Sequence, residues 1–262
     1  MINGFYGATG AMVTQFNRLN VISNNLANVN TNGFKADDIV IGDFERLFQE
    51  KRDNLPLENN TKEAAKFLNR ALNKVPIVVE EYTNFEVGAI KKTQNPLDVA
   101  LMKKNQFFSI QTPQGERLTR DGAFVLNEKG EISTKDGFIV LDKDDNPITI
   151  PTNTKSITID KNANVYADNK LIATLKISQI SNLKTLKKIG DNLYDFIPDT
   201  RSINSKYSTM QGFIEKSNIN PVREMTNLIE TNRLVESYQK VMNTFMDDLN
   251  RDAIEKLANV RA

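Results

Sequence analysis

Any chemistry done by this chain must come from carboxylates, hydroxyls, amides and amines, because its 262 residues include neither histidine nor cysteine. That absence removes Ser-His-Asp triads, thiol nucleophiles, disulfides and imidazole or thiolate zinc sites together. Acidic pairs remain, at Asp37-Asp38, Glu80-Glu81 and Asp247-Asp248. Adjacent residues point in different directions on a helix or strand, so these are poor general acid/base pairs. Two stretches resemble the start of a calcium loop, Asp142-Lys143-Asp144-Asp145-Asn146 and Asp160-Lys161-Asn162-Ala163-Asn164. An EF-hand then needs Gly at position six and Glu at position twelve. The first stretch has Pro147 and Asn153 there, the second Val165 and Leu171, and both read as polar turns. Neither a GxGxxG run nor a P-loop occurs. No catalytic residue, cofactor-binding residue or metal-ligand set is expected, and the chain does not read as an enzyme.

The composition is that of an ordinary globular protein, 39% hydrophobic and 26% charged. Thirty-four basic and 33 acidic residues leave a net charge of +1. The lysines alternate with acids and build no stripe, so no nucleic-acid partner is expected. No apolar run approaches the ~20 residues that span a bilayer, so membrane insertion is not expected either. The first charged residue is Arg18, and residues 1–17 hold no continuous apolar core, which argues against a cleaved secretory signal.

The elements that would carry a function of another kind lie at the two ends. Phe5, Met12, Leu19 and Leu26 recur every seven residues, with Ala8, Ile22 and Val29 three further on and Phe16 widening the stripe. This spacing predicts an amphipathic helix from about residue 5 to 28. Residues 30–33, Asn-Thr-Asn-Gly, tolerate positive φ and should end it. Five asparagines, at positions 24, 25, 28, 30 and 32, fall within ten residues. Asn is a mediocre helix former, so the segment must be held by what it packs against. At the far end Asn220-Pro221 reads as N-cap and first helical residue, with Glu224 set against the helix dipole. Leu228, Val235, Met242 and Leu249 then repeat every seven residues, accompanied by Tyr238 and Phe245, with Met225 and Met246 one step further round.

Between the ends, residues 36–75 form a connecting segment. It holds a short run at Ile39, Val40, Ile41, Phe44, Leu47 and Phe48, a polar loop around Pro56 and a helical run over 61–72. From Pro76 to about residue 216 the texture is that of strands. Short apolar runs at 77–79, 85–90, 107–111, 124–126, 138–141, 157–159, 165–167 and 171–177 are separated by glycine turns, among them Asp121-Gly122 and Asp136-Gly137. No helical pattern intervenes, so an antiparallel sheet is expected. The fold class is therefore α+β. Long N- and C-terminal helices (residues 1–35 and 217–262) are expected to pair in coiled-coil fashion beside a connecting segment (36–75) and a β-rich domain (76–216).

Several stretches resemble one family. Residues 23–35, SNNLANVNTNGFK, with Asn24, Asn25, Leu26, Asn28, Gly33 and Phe34, are similar to the N-terminal signature of bacterial flagellar rod and hook proteins. Asn95, Pro96 and Leu97 open a block that continues to Phe107 and Phe108 and resembles the family's NPLDLAI…GFF. Thr119-Arg120-Asp121-Gly122 resembles its TRDG, and Asn218, Asn220 and Pro221 lie in a stretch similar to SNVNPVEEM. Lys104-Asn105-Gln106 replaces the usual Gly-Asp-Gly before the paired Phe, which puts that turn in question. Within the family the ends look closest to the FlgF/FlgG rod group, on the proximal-rod side. The resemblance implies an axial basal-body subunit, exported by the flagellar type III apparatus without a cleaved signal and assembled in the periplasm. Its partners would be copies of itself and other rod proteins. Its helices would pack into a tube that transmits torque around an open channel, with the β domain outside. The heptad residues on both helices, Phe5 to Val29 and Met225 to Leu249, would form the subunit interface, and the asparagines would fix register across it. The alternative is a soluble β-rich binding module on a homo-oligomeric coiled coil.

Overall fold

A computed structural model describes residues 2–43, 76–202 and 208–259. The expectations for Phe44, Leu47, Phe48, the Pro56 loop and the 61–72 helix lie outside the described residues. A helix stands at each end of a mainly antiparallel β-rich region, and the chain divides into two compact units. One draws on Met1–Leu26, Asp37–Tyr82 and Pro221–Ala262, the other on Ala27–Ala36 and Thr83–Asn220. The second half of the asparagine motif thus belongs with the sheet, and the strand after Pro76 belongs with the helices.

The helical unit holds α1 (Ile2–Ala27), α2 (Pro221–Asn259) and a two-stranded sheet of Asp37–Asp43 and Pro76–Thr83. At 1.5 Å per residue the helices run ~39 and ~58 Å. On α1 the residues buried within the chain are Ala8, Ala11, Thr14, Gln15, Ile22 and Asn25, a line at helical spacing built mostly of small or polar side chains. Two side chains tie α1 to the strands. The Thr14 hydroxyl donates to the Pro76 carbonyl at 2.8 Å. The Asn25 amide pairs with the Asp37 backbone in both directions, donating to its carbonyl at 2.8 Å and accepting from its N–H at 3.0 Å. The helices touch where the Thr9 hydroxyl meets the Met242 sulfur at 3.4 Å. At Gly4 an added Cβ would stand 2.8 Å from the Phe245 ring.

In the β-rich unit the strand Gln106–Thr112 is central. It pairs antiparallel with Gly115–Thr119, Ile139–Val140 and Ile177–Ile180. Side chains alternate along a strand, and here both faces are covered. Phe108 and Ile110 enter a core with Val99, Ile132, Val165 and Ile177, while Phe107 enters a second core with Phe85 and Tyr194. The rings of Phe85, Phe107 and Tyr194 meet at centroid distances of 5.8, 5.6 and 5.5 Å, in tilted and edge-on geometries favoured by the ring quadrupoles. A three-stranded sheet (Ile157–Ile159, Asn164–Ala167, Lys170–Thr174) adds to the first core. Two short ladders bring in distant sequence. Val99–Leu101 pairs with Thr209–Gln211, and Ile90–Lys92 with Phe213–Glu215.

The turns repay the reading of their sequence. Asp142 and Asp160 each accept from the N–H two and four residues ahead, as Asn127 does from Lys129 and Glu131. The calcium-like stretches are therefore turns held by their own side chains. Burial pushes the Asp160 carboxyl up, but bonds from Asn164 and Asn162 outweigh it and leave its pKa lowered. Asp136-Gly137 makes its hairpin, with Gly137 at φ +87. Asp121-Gly122 does not make a turn. Gly122 is there for close approach, since its carbonyl accepts from Val99 N–H at 2.9 Å and a Cβ would fall 1.8 Å from the Val99 oxygen. The 85–90 run is irregular, becoming strand only at Ile90. The Asn84 side chain takes the Glu86 N–H, and buried charged groups capture the Glu86 carbonyl and the Gly88 N–H.

Candidate functional site

Among the described residues no group of three or more Asp or Glu is placed to hold a metal ion, and no helix is long and apolar enough to cross a membrane. What the structure does assemble is a buried charge cluster in the β-rich unit, which draws Gly33, Lys35 and Arg120 from the motif stretches to Gly88 and Glu215. At its centre lies Glu215, 1% exposed. Its Oε1 accepts from Lys35 Nζ at 2.5 Å and from Gly88 N–H at 2.9 Å. Its Oε2 accepts from Arg120 Nε at 3.0 Å and from a terminal guanidinium nitrogen at 2.6 Å. Lys35 and Arg120 are themselves buried.

Two cations around one carboxylate leave an excess positive charge, which backbone carbonyls absorb. Lys35 Nζ also donates to Glu86 O at 2.7 Å. Arg120 donates to the carbonyls of Lys103 (2.6 Å), Gln106 (2.5 Å) and Leu101 (3.2 Å). Those bonds close the turn at 103–106, so the chain forms it without the usual glycines. Burial pulls the Lys35 amine down to about 8 against the opposing pull of Glu215. Burial likewise lowers Arg120, again opposed by Glu215.

Gly33 fits this cluster by conformation and by size. Its φ is +68, its N–H donates to Glu215 O at 2.8 Å, and a Cβ would stand 2.4 Å from the Arg120 carbonyl carbon. Phe34 is buried with the Lys188 ammonium 4.0 Å from its ring centroid, a cation–π contact. Asn218 binds the neighbouring crossings of the chain. Its Oδ1 accepts from Ala36 N–H at 2.8 Å and its amide donates to Asn84 O at 2.8 Å. Asn95 caps its own loop, accepting from Leu97 N–H and donating to Asp98. Pro96 O accepts from Gln211, and Leu97 reaches the core. Asn28 accepts from the Thr31 hydroxyl in the turn after α1. Asn220 and Pro221 stand where α2 begins.

Asp121 is partly buried, and burial pushes its carboxyl up to about 6 although the Ala123 N–H bond opposes this. The folded chain then holds a proton between about pH 4 and 6 that the unfolded chain releases. The associated stability is complete below the unfolded pKa and is lost as pH rises through about 6. Discounted for residual solvent contact, the effect is about 1–2 kcal/mol. Urea unfolding at pH 4.5 and 7 should show wild type losing that much relative to Asp121→Asn. Parallel pH dependence of the two proteins would refute the assignment.

The helix stripes read from sequence fall as follows. Ile22 is buried. Phe5, Met12, Leu19, Leu26 and Val29 are half-buried, and Phe16 is exposed. On α2, Leu228, Val235, Tyr238, Met242, Phe245 and Leu249 are half-buried, whereas Met225 is exposed. Exposed with it are Val222, Ile229, Leu234, Val241 and Met246. Lys35 and Glu215 were not singled out as site residues. The one signal was alternation, which places Glu215 on the same strand face as Phe213.

Three stretches of the chain match models of one family group. Residues 5–35 match the family described as flagella basal body rod protein. Residues 102–167 match the flagellar hook protein FlgE/F/G D1 domain, and residues 210–255 the C-terminal part of the flagellar basal body rod FlgEFG proteins. The chain is 32% identical to the basal-body rod protein FlgF of Caulobacter vibrioides, over 99% of this chain and 100% of that one. It is 29% identical to FlgF of Rhizobium meliloti over the full length of both. To FlgG of Buchnera aphidicola from Acyrthosiphon pisum it is 32% identical, over 90% of this chain and 92% of the relative. With three family models matched along its length and a full-length relative above 30% identity, the chain belongs to the bacterial flagellar basal-body rod proteins of the FlgF/FlgG group.

Proposed function

We propose that the chain is an axial structural subunit of the flagellar rod, polymerising with copies of itself and other rod proteins through its terminal helices. The polymer is a tube that transmits torque and leaves a central channel for export. The subunit reaches the periplasm through the flagellar type III apparatus. The observation that carries this reading is the character of α1, which has one charged residue, Arg18, in 26. A helix so poor in charge belongs in an environment that covers it on every side. In the single chain, however, Tyr6, Val13 and Phe16 remain 55%, 51% and 44% exposed. Neighbouring subunits are the cover that a rod supplies. The end-to-end match to FlgF relatives, against 90% coverage by the FlgG relative, supports the FlgF side of the group.

A chain carrying Val13→Asp and Phe16→Asp tests this. Both sites face away from the buried line of α1, so the unfolding free energy of the β-rich unit should stay within about 0.5 kcal/mol of wild type. Incorporation into purified basal bodies and swimming should both be lost. Motile cells with the substituted chain in their basal bodies would overturn the proposal. A discrete trimer of the wild-type chain that never enters a basal body would favour a binding module instead.

A further inference from the structure

Two Asn-Gly pairs occur in the chain, Asn3-Gly4 and Asn32-Gly33. Asparagine before glycine is open to one spontaneous reaction, because no Cβ on the following residue shields its backbone nitrogen. At the second pair the Gly33 nitrogen gives up its proton and attacks Asn32 Cγ. A C–N bond forms, Nδ2 leaves as ammonia, and a succinimide ring remains. Water then opens the ring at either carbonyl. Opening at Cγ yields aspartate. Opening at the main-chain carbon yields isoaspartate, whose backbone runs through Cβ and Cγ and is one atom longer.

The fold withholds what this reaction needs at residue 32. The nucleophile is engaged, since the buried Gly33 N–H donates to Glu215 O at 2.8 Å. The backbone of Arg120 and Asp121 lies so close that a Cβ on Gly33 would stand 2.4 to 2.6 Å from it, which leaves the segment no room to rotate. The electrophile is unassisted. Negative charge would gather on Asn32 Oδ1 during the attack, and that atom is buried with no hydrogen-bond donor among the described residues. The same contacts reject the product. Asn32 O accepts from the Asn192 amide at 2.8 Å, so the peptide unit between residues 32 and 33 is pinned on both sides. An extra backbone atom must break one of the two bonds. We propose that Asn32-Gly33 is a deamidation site of the unfolded chain, shielded once the Lys35–Glu215–Arg120 cluster forms, and that its isoaspartyl form cannot rebuild that cluster. A chain that ages before folding is thereby kept out of the fold.

The full chain is incubated at neutral pH, either folded or unfolded in guanidinium chloride, and then cut with trypsin. Cleavage after Arg18 and Lys35 releases residues 19–35, in which fragment masses assign conversion at Asn32. Deamidation there should be about tenfold or more slower in the folded chain, because a unit stable by several kcal/mol opens rarely. Aged unfolded chain is then refolded, and size exclusion separates folded chain from unfolded and aggregated chain. Isoaspartate at residue 32, read by isoaspartyl methyltransferase labelling of the 19–35 peptide, should be depleted about tenfold or more in the folded fraction. Isoaspartate at residue 3, in the first turn of α1 and outside the cluster, should be shared equally between the fractions. Equal rates in the two states, no isoaspartate at residue 32 in the unfolded chain, or its full recovery in the folded fraction would each overturn the proposal.

Discussion

Replacing Glu215 with Gln is expected to destabilise the β-rich unit by about 3–5 kcal/mol, the cost of leaving buried charges without their partner. Gln has nearly the same shape, so packing is not the cause. Its carbonyl oxygen can still accept from Lys35 and Gly88, but its NH₂ then faces the Arg120 nitrogens that now donate to Oε2 at 3.0 and 2.6 Å. Donor meets donor, and two buried cations lose the one carboxylate between them. Urea unfolding followed by tyrosine emission reads the effect directly, because the chain has no tryptophan and Tyr194 lies in the second core. Lys35→Met in the Glu215→Gln background should cost less than the two single changes added together, since residues sharing one network are coupled. A loss below about 1 kcal/mol for Glu215→Gln, the size of an exposed pair, would mean that the cluster is open to water.

The parts of this fold that could be read in the sequence are those set by local periodicity. The seven-residue repeats predict both helices, and α1, expected from about residue 5 to 28, runs Ile2–Ala27. Alternation and turn residues located the strands, because Asx side chains act on the backbone two to four residues ahead. What local pattern could not supply was the face each element turns inward. Hydrophobicity draws the α1 stripe through Phe5, Met12, Leu19 and Leu26, yet the line buried in the chain is Ala8, Ala11, Thr14, Gln15, Ile22 and Asn25. Small residues permit close packing, and Asn25 is satisfied by a backbone partner twelve residues away. An asparagine read as setting register between subunits thus sets it first within its own chain. The Lys35–Glu215–Arg120 cluster was illegible for a different reason. Its members are 95 and 180 residues apart in pairs that share the one acid, and no periodicity spans such separations.

Gly33→Ala is expected to cost about 3–4 kcal/mol, well beyond the conformational penalty of an alanine at positive φ, which is roughly 1–2 kcal/mol. The comparison that isolates the difference is Gly137→Ala. Gly137 also has positive φ, but a Cβ there meets nothing within 4 Å, whereas at Gly33 it meets the backbone of Arg120 and Asp121 at 2.4 to 2.6 Å. The Arg120 backbone cannot retreat easily, because its side chain is fixed by five hydrogen bonds to Glu215 and three carbonyls. The Gly33 segment must move instead, which breaks the bond from its N–H to Glu215 O and disturbs Lys35 two residues on. Gly137→Ala should therefore cost about 1 kcal/mol in urea unfolding while Gly33→Ala costs severalfold more. Hydrogen exchange at Gly88 N–H, which bonds to Glu215 Oε1, should accelerate in the Gly33 variant and stay at its wild-type rate in the Gly137 variant. Equal costs at the two glycines would show that the motif needs only the turn. The predicted inequality places the requirement in the contact between the N-terminal motif and the buried charge cluster.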